Sequence, residues 1–303
     1  MSMYDKRQFF KTYFSSASEK SILVKLLDKR FHPPSHTANI LDLGCHDGAL
    51  MKNIVNAYAK RLPEKLVITG VDPSLQAIKE YAKADFPIPV QTNTFAGTAE
   101  DYFDVCTDHF DWIFASQCLY WSPDLPKIIK QIHETGDSAL IVIRGCHGIY
   151  EIQSQFRHYI GNHLEKFYTD KEVEMALRTQ KILFQKESLS TSIRLPDKDS
   201  IELKWLILFF LQMEEGSLGD KIFCEVRDWI TSRTSGSIHH EVHFFWLGNA
   251  IFTGDYNMNF PVKSKKILWD KGNVFNEIDF IISQPELMDS KIFFHVIQIC
   301  RAS

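Results

Sequence analysis

Between residues 38 and 145 the sequence switches repeatedly between two periods. Short, almost unbroken apolar runs occupy 39–43, 66–71, 110–115 and 139–143, with a weaker one at 90–94. Between them apolar residues recur every three or four positions. Met51, Ile54, Val55, Tyr58 and Leu62 make one such stripe, Leu75, Ile78 and Tyr81 a second behind Pro73, and Leu125, Ile128, Ile129 and Ile132 a third. A strand covered on both faces must be apolar at nearly every position, and parallel strands need a long crossover between them. Five such strands alternating with helices predict a mostly parallel, doubly wound α/β sheet.

The flanks read less regularly. Residues 1–30 look helical, with Ile22, Leu23, Leu26 and Leu27 on one stripe; Ser21, Ser18 and Ser16 are each placed to cap it. Pro33 and Pro34 end that helical stretch. Beyond Arg144, helices are expected at 150–160, 170–177, 205–213 and 220–230. Thr169 would cap the second, with Glu172 three residues on. Residues 186–195 can alternate as a strand. Residues 238–247 alternate cleanly, with Ile238, His240, Val242, Phe244 and Trp246 on one side. Strand-like runs at 278–283 and 292–299 would either extend the sheet or form a small flap. The domain reading is a helical cap at 1–37, a main domain at 38–249 and a C-terminal extension at 250–303.

Bulk properties exclude several classes. Apolar residues make up 45% and charged residues 24%, which rules out a disordered or fibrous chain. Lys and Arg number 34 against 38 Asp and Glu, so no broad basic face for nucleic acid is expected. No apolar run reaches the 18 or so residues of a membrane span, and the N-terminus lacks a signal-peptide core. The six cysteines include no CxxC pair, which predicts reduced thiols in a cytoplasmic chain and no zinc site. A monomer is expected. The 23 Phe, 10 Tyr and 6 Trp leave a ring excess to be explained.

The first strand runs into Leu41-Asp42-Leu43-Gly44-Cys45-His46-Asp47-Gly48. Glycines there allow a tight turn beside a ligand, at the carboxyl end of a parallel strand where such sheets place their sites. The second strand ends at Gly70-Val71-Asp72-Pro73. Asp72 either accepts hydrogen bonds from a nucleoside's ribose hydroxyls, or caps the next helix, or does both. Histidines give no metal site: His239 and His243 share a face of a strand but lie about 13 Å apart. Cys118 and Cys146 flank the strand edge, where a buried small hydrophobe is the default.

Residues 41–48, 70–73 and 110–121 together resemble the successive motifs of class I S-adenosylmethionine-dependent methyltransferases, over about residues 38–145. The family's acidic-x-Gly-x-Gly-x-Gly pattern keeps Asp42, Gly44 and Gly48 here, with His46 at the middle glycine. That change either widens the turn or sets an imidazole near the methionine portion of the cofactor. The resemblance implies a Rossmann-like, mostly parallel seven-stranded sheet with a helical lid. It also implies that Asp42 and the loop through Gly44, Cys45, His46 and Gly48 hold the methionine end. Asp72 and Pro73 would sit at the ribose, Thr98 and Ala99 at the adenine, and Ser116 at the edge of the cofactor site.

The run Asp111-Trp112-Ile113-Phe114-Ala115-Ser116-Gln117-Cys118-Leu119-Tyr120-Trp121 resembles histamine N-methyltransferase-like small-molecule methyltransferases. That likeness implies Gln117 against the acceptor and, through the Ser-rich turn near the N-terminus, Glu19 as an amine-binding carboxylate and proton acceptor. Tyr13, Phe14, Tyr120 and Trp121 are the rings expected around the acceptor, with Phe167 and Tyr168 nearby; His147, just past the fifth strand at the carboxyl edge, is a further expected substrate contact, with a solvated loop histidine as the alternative. The expected activity is methyl transfer from S-adenosylmethionine to nitrogen or oxygen of a small metabolite, by alignment and exclusion of water. A protein or tRNA methyltransferase is the alternative enzyme. A methyltransferase-fold regulatory or interaction protein without turnover is the alternative of another class.

Overall fold

The computed structural model describes residues 7–120, 122–160 and 167–251. The chain divides into two compact units, Met1–Gly254 and Asp255–Ser303, and every described residue belongs to the first. The expected strand-like runs at 278–283 and 292–299 lie outside the described residues.

In chain order the elements are α1 (Arg7–Ser16), α2 (Glu19–Leu26), β1 (Thr37–Leu43), α3 (Ala49–Tyr58), β2 (Lys65–Asp72), α4 (Leu75–Tyr81), β3 (Val90–Ala96), α5 (Ala99–Val105), β4 (Phe110–Ser116), α6 (Leu125–Thr135) and β5 (Gly136–Arg144). They continue as α7 (Ile149–Gln155), α8 (Asp170–Thr179), β6 (Phe184–Arg194), α9 (Ile201–Leu211), α10 (Asp220–Thr231) and β7 (Ser237–Gly248). The seven strands form one sheet in the order β3-β2-β1-β4-β5-β7-β6. The first five are parallel; β7 is antiparallel to β5, and β6 to β7. From β1 the chain winds outward through β2 and β3, then returns to place β4 on the other flank of β1. The crevice beyond the carboxyl ends of β1 and β4 is therefore the point where strand order reverses, and ligands of open α/β sheets bind at such points.

Both faces of the central strands are covered, which is why β1, β2, β4 and β5 read as nearly continuous apolar runs. Ile40, Trp112, Phe114, Val142, Phe244 and Trp246 pack on one face with Leu27 and Phe31 from the segment after α2 and Ile54 from α3. Leu41, Ile113, Ala115, Ile141 and Phe245 pack on the other with Ile128, Ile129 and Val173. A third cluster joins α1, α7, α9 and α10 through Phe9, Tyr13, Ile152, Phe156, Leu206 and Val226. These helices form the cover above the carboxyl edge.

The N-terminal helical stretch is not continuous. It breaks at Ala17 and Ser18, where Ala17 bridges Ile193 on edge strand β6. The Ser18 N–H donates to the Ser192 carbonyl at 2.9 Å, and the Ser192 N–H donates to Ser18 Oγ at 3.0 Å. Ser18 stands at the N-cap position of α2, yet its side chain makes no cap bond because the strand has taken it. Neither Ser16 nor Ser21 substitutes for it: Ser21 Oγ donates to the Ser18 carbonyl. The helix expected at 150–160 stops at Gln155 and continues as a 3-10 turn at Arg157–Tyr159. At α8 the structure has the anticipated capping box of Thr169 and Glu172.

Candidate functional site

The turn leaving β1 is built around left-handed residues. Gly44 has φ +64°, and a Cβ there would collide with the Cβ of Cys118. Both the conformation and the close approach of the β4 loop require glycine. The N–H groups of Gly44 and Cys45 donate to the Val71 carbonyl at 2.8 and 3.1 Å, tying the turn to β2. His46 has φ +47°, a region histidine tolerates better than most side chains, so the turn closes without the usual glycine. Its ring stacks on Phe10 of α1 with centroids 3.9 Å apart. Gly44→Ala is expected to cost roughly 1–3 kcal/mol for the backbone conformation alone. Urea unfolding checks this; an unchanged midpoint would show that the turn can relax.

Asp72 fastens the same turn from the β2 side. Its Oδ2 accepts the His46 N–H at 3.0 Å and its Oδ1 accepts the Ser74 N–H at 2.9 Å. Ser74, not Asp72, caps α4 by accepting the Ala77 N–H at 3.1 Å. Asp42 is buried and accepts the Tyr81 hydroxyl at 3.2 Å. Burial raises its carboxyl to about 7, opposed by the Tyr81 hydrogen bond and Lys20 and aided by Asp72.

The β4 and β5 ends make the facing wall. Gln117 also lies in the left-handed region, at φ +59°, with its N–H donating to the Val142 carbonyl. Its Nε2 donates to Glu19 Oε2 at 2.7 Å. Glu19 is 2% exposed and lies 3.3 Å from Lys20 Nζ and 3.6 Å from His240 Nε2. Burial pushes the Glu19 carboxyl up, but Lys20, with His240 and Tyr13, outweighs it and holds the group at about 2. Lys20 Nζ also donates to Ser116 Oγ at 3.0 Å. Arg144, at the end of β5, is buried, and its guanidinium lies 4.3 Å over the Tyr120 ring. Tyr13 stacks on Phe209 of α9 at 4.4 Å.

These groups surround one cavity of about 290 Å³. Asp42, Gly44, Cys45, His46, Asp72 and Pro73 line it from the β1 and β2 ends. Thr98 and Ala99 line it from α5, and Ser116, Gln117 and Tyr120 from the β4 end. Tyr13 and Phe14 enter from α1. Thr98 is already committed locally: its Oγ1 accepts the Asp101 N–H and donates to Asp101 Oδ2. Glu19 and Gly48 are not among the described lining residues; Glu19 stands behind Gln117, and Gly48 turns the chain into α3. His147 is also outside the cavity. The chain turns at Gly145 and Gly148 and leaves its imidazole on the surface, 3.6 Å from Glu151. Trp121 lies outside the described residues. Phe167 lies near Arg144, and Tyr168 is tied by its N–H to the Tyr120 carbonyl.

Phe9, Phe10 and Phe209 also line the cavity, from ring-rich segments expected to cover the sheet edge, while Lys20, Arg144, Gln153 and Gln212 line it unanticipated. Only Arg144 left a signal, as a charge closing an apolar strand at the carboxyl edge. Among the described residues no three His, Cys, Asp or Glu side chains converge as a metal site. No helix among them is long and apolar enough to cross a membrane.

Residues 15–159 match the family model described as a methyltransferase domain. A cyclopropane-fatty-acyl-phospholipid synthase-like protein from Lactobacillus casei ATCC 334 superposes with a TM-score of 0.51 at 11% identity, covering 76% of this chain and 90% of its own. A protein of Bacillus halodurans C-125 described as a candidate methyltransferase superposes with a TM-score of 0.50 at 12% identity, covering 76% and 97%. No curated protein matches the chain. The sheet order and the superpositions agree: the chain has the fold of class I S-adenosylmethionine-dependent methyltransferases, and its residues 15–159 are similar to a methyltransferase domain.

Proposed function

We propose that the protein binds S-adenosylmethionine at the carboxyl ends of β1 and β2 and transfers its methyl group to nitrogen or oxygen of a small metabolite. The observation that carries this reading is a single cavity joining the acidic β1–β2 edge to a ring-lined wall under the helical cover. The donor set suits the cofactor: Asp42 for the ammonium of its methionine end, Asp72 for its ribose hydroxyls, and the backbone around Gly97–Ala99 for its adenine. The sulfonium supplies an already activated methyl group, so the chain's work is alignment and exclusion of water.

The rings of Tyr13, Phe14 and Tyr120 around the cavity support a small acceptor. Gln117 supports the likeness to histamine N-methyltransferase-like enzymes, and its amide is held firmly. Only the NH2 end can donate to the Glu19 carboxylate, which fixes the orientation of the amide. Glu19 acts here as a positioning residue, because a carboxylate held at about 2 is a weak proton acceptor. The scattered cysteines favour the cytoplasm as the working compartment.

Calorimetric titration with S-adenosylmethionine tests the reading; no binding at high micromolar cofactor would remove it. Asp42 adds a pH signature. Only its anion pairs with an ammonium, and with a carboxyl near 7 that anion is the minor form in mild acid. Affinity is therefore expected to rise about tenfold between pH 5.5 and 7, below the range where α-amino groups titrate. Asp42→Asn should flatten that rise; a pH-independent wild-type affinity would detach Asp42 from the ammonium.

A further inference from the structure

Where the family pattern has a glycine, the turn after β1 carries the side chain of His46, a residue only 8% exposed. Its ring lies on the Phe10 ring of α1, 3.9 Å away at an interplanar angle of 27°. Neither ring nitrogen has a hydrogen-bond partner among the described residues; Asp47 Oδ1, 3.4 Å from Nδ1, does not form one. Packing on Phe10 is thus what holds the imidazole. No other ring contact and no hydrogen bond among the described residues joins α1 to the β1–β2 side of the cavity.

The two partners of this stack belong to different halves of the site. The His46 backbone stands at φ +47° between Gly44 at +64° and Gly48 at +79°, and Asp72 Oδ2 accepts its N–H at 3.0 Å. Helix α1 is a separate body that ends at the break at Ala17 and Ser18, where it is pinned to β6. Its rings divide at four-residue spacing. Phe9 and Tyr13 are buried in the cover cluster, with Tyr13 on Phe209. Phe10 and Phe14, with centroids 5.8 Å apart, line the cavity.

We propose that His46 is a positioning residue that couples the cofactor seat to the acceptor wall through its stack on Phe10. This rests on the methyl-transfer reading above and adds a link between its two half-sites. A ligand seated on the β1 turn fixes the His46 backbone, and with it the direction of the ring. Phe10 then packs on a ring that has already lost its freedom, so holding α1 in place costs less. Phe14 and Tyr13 are set with α1, which completes the ring-lined wall and shuts water from the methyl group. A glycine at position 46 has no side chain to carry this to α1. By reciprocity, a held α1 tightens the cofactor by the same factor. An aromatic stack sets that factor at roughly two- to twelvefold.

Hydrogen exchange of the full chain, with and without saturating S-adenosylhomocysteine, reads the coupling at residues 11–16, whose amides bond within α1. In the wild type the ligand should slow these amides by about threefold or more. His46→Gly and His46→Asn both tolerate a positive φ, and in each a saturating ligand should leave the amides at their unliganded rate. Phe10→Leu should lose the same protection, whereas Phe10→Tyr, which keeps the ring, should retain it. Calorimetry closes the cycle. Phe10→Leu should weaken S-adenosylhomocysteine roughly two- to twelvefold beside His46 and less than about twofold in the His46→Gly background. Protection surviving in His46→Gly and His46→Asn, or a Phe10→Leu loss equally large without His46, overturns the coupling. So does a wild type that binds the ligand with α1 unchanged. Should both His46 variants fail to fold, Phe10→Leu against Phe10→Tyr decides, and equal protection in the two overturns it. A wild type that binds no S-adenosylhomocysteine overturns the coupling together with the methyl-transfer reading.

Discussion

Glu19→Ala is expected to cost roughly 3–5 kcal/mol of folding stability, the range for breaking a buried charge pair from one side. The carboxylate is 2% exposed and serves several neighbours at once. Removing it leaves Lys20, 7% exposed, without the carboxylate 3.3 Å from its Nζ, and takes the acceptor from Gln117 Nε2. Glu19→Gln keeps the shape and isolates the charge. Burial alone would raise the carboxyl, yet Lys20, His240 and Tyr13 hold it at about 2 against an ordinary 4.5. A carboxyl depressed in the folded state stabilises fully above its unfolded pKa and loses that contribution as pH falls towards the folded value. The wild type should therefore lose about 3 kcal/mol between pH 4.5 and 2, and Glu19→Gln should lack that part of the decline. Urea unfolding at pH 7 and pH 3 measures both effects. A wild-type stability as pH-independent as the variant's would mean that burial cancels Lys20, and one that rises towards low pH relative to the variant would mean that burial governs the group.

The sheet was legible because β1, β2, β4 and β5 are covered on both faces. Leu41 and Ile113 face one helical layer while Ile40 and Trp112 face the other, so no polar residue is needed between them. Alternation located β7 as well, although His243 and Phe245 are buried on its second face, which a half-exposed strand would not require. Helix α5 escaped notice because it is short and its two buried rings, Tyr102 and Phe103, are adjacent in sequence. The available signal was the Thr98–Asp101 capping pair. The break at Ala17 was invisible for another reason: its cause is a strand residue, Ile193, 176 positions away. The same holds for the site. Backbone-bound features such as Gly44 and Asp72 follow from local spacing, whereas Lys20 and Arg144 gain their meaning only from Ser116, Glu19 and Tyr120 across the fold. Much of the aromatic excess proves to be structural, with Trp112 and Trp246 in the core, while Phe9, Phe10, Tyr13, Phe14 and Phe209 line the cavity.

Asp72→Ala is expected to weaken S-adenosylmethionine binding about 100-fold, within the roughly 1–3 kcal/mol that charged hydrogen bonds contribute. Two causes contribute and can be separated. One is the direct loss of an acceptor for the ribose. The other is the release of the turn after β1, since both carboxylate oxygens hold backbone amides, His46 at 3.0 Å and Ser74 at 2.9 Å. Asp72→Asn retains one acceptor oxygen and should fall between the two, near tenfold. The direct part is isolated by a cycle pairing Asp72→Ala with a 2′,3′-dideoxy analogue of S-adenosylhomocysteine. If Asp72 touches the hydroxyls, deleting them weakens the wild type but leaves the variant nearly indifferent, a coupling of 1 kcal/mol or more on the scale of contacting pairs. If Asp72 acts only by holding the turn, the two deletions add. His46 makes the second outcome physically reasonable, because a side chain at φ +47° gives the turn less freedom to re-form around a missing anchor than glycine would. Additivity would thus assign Asp72 to the turn and leave the ribose to another donor set, whereas coupling would place the carboxylate in both roles at once.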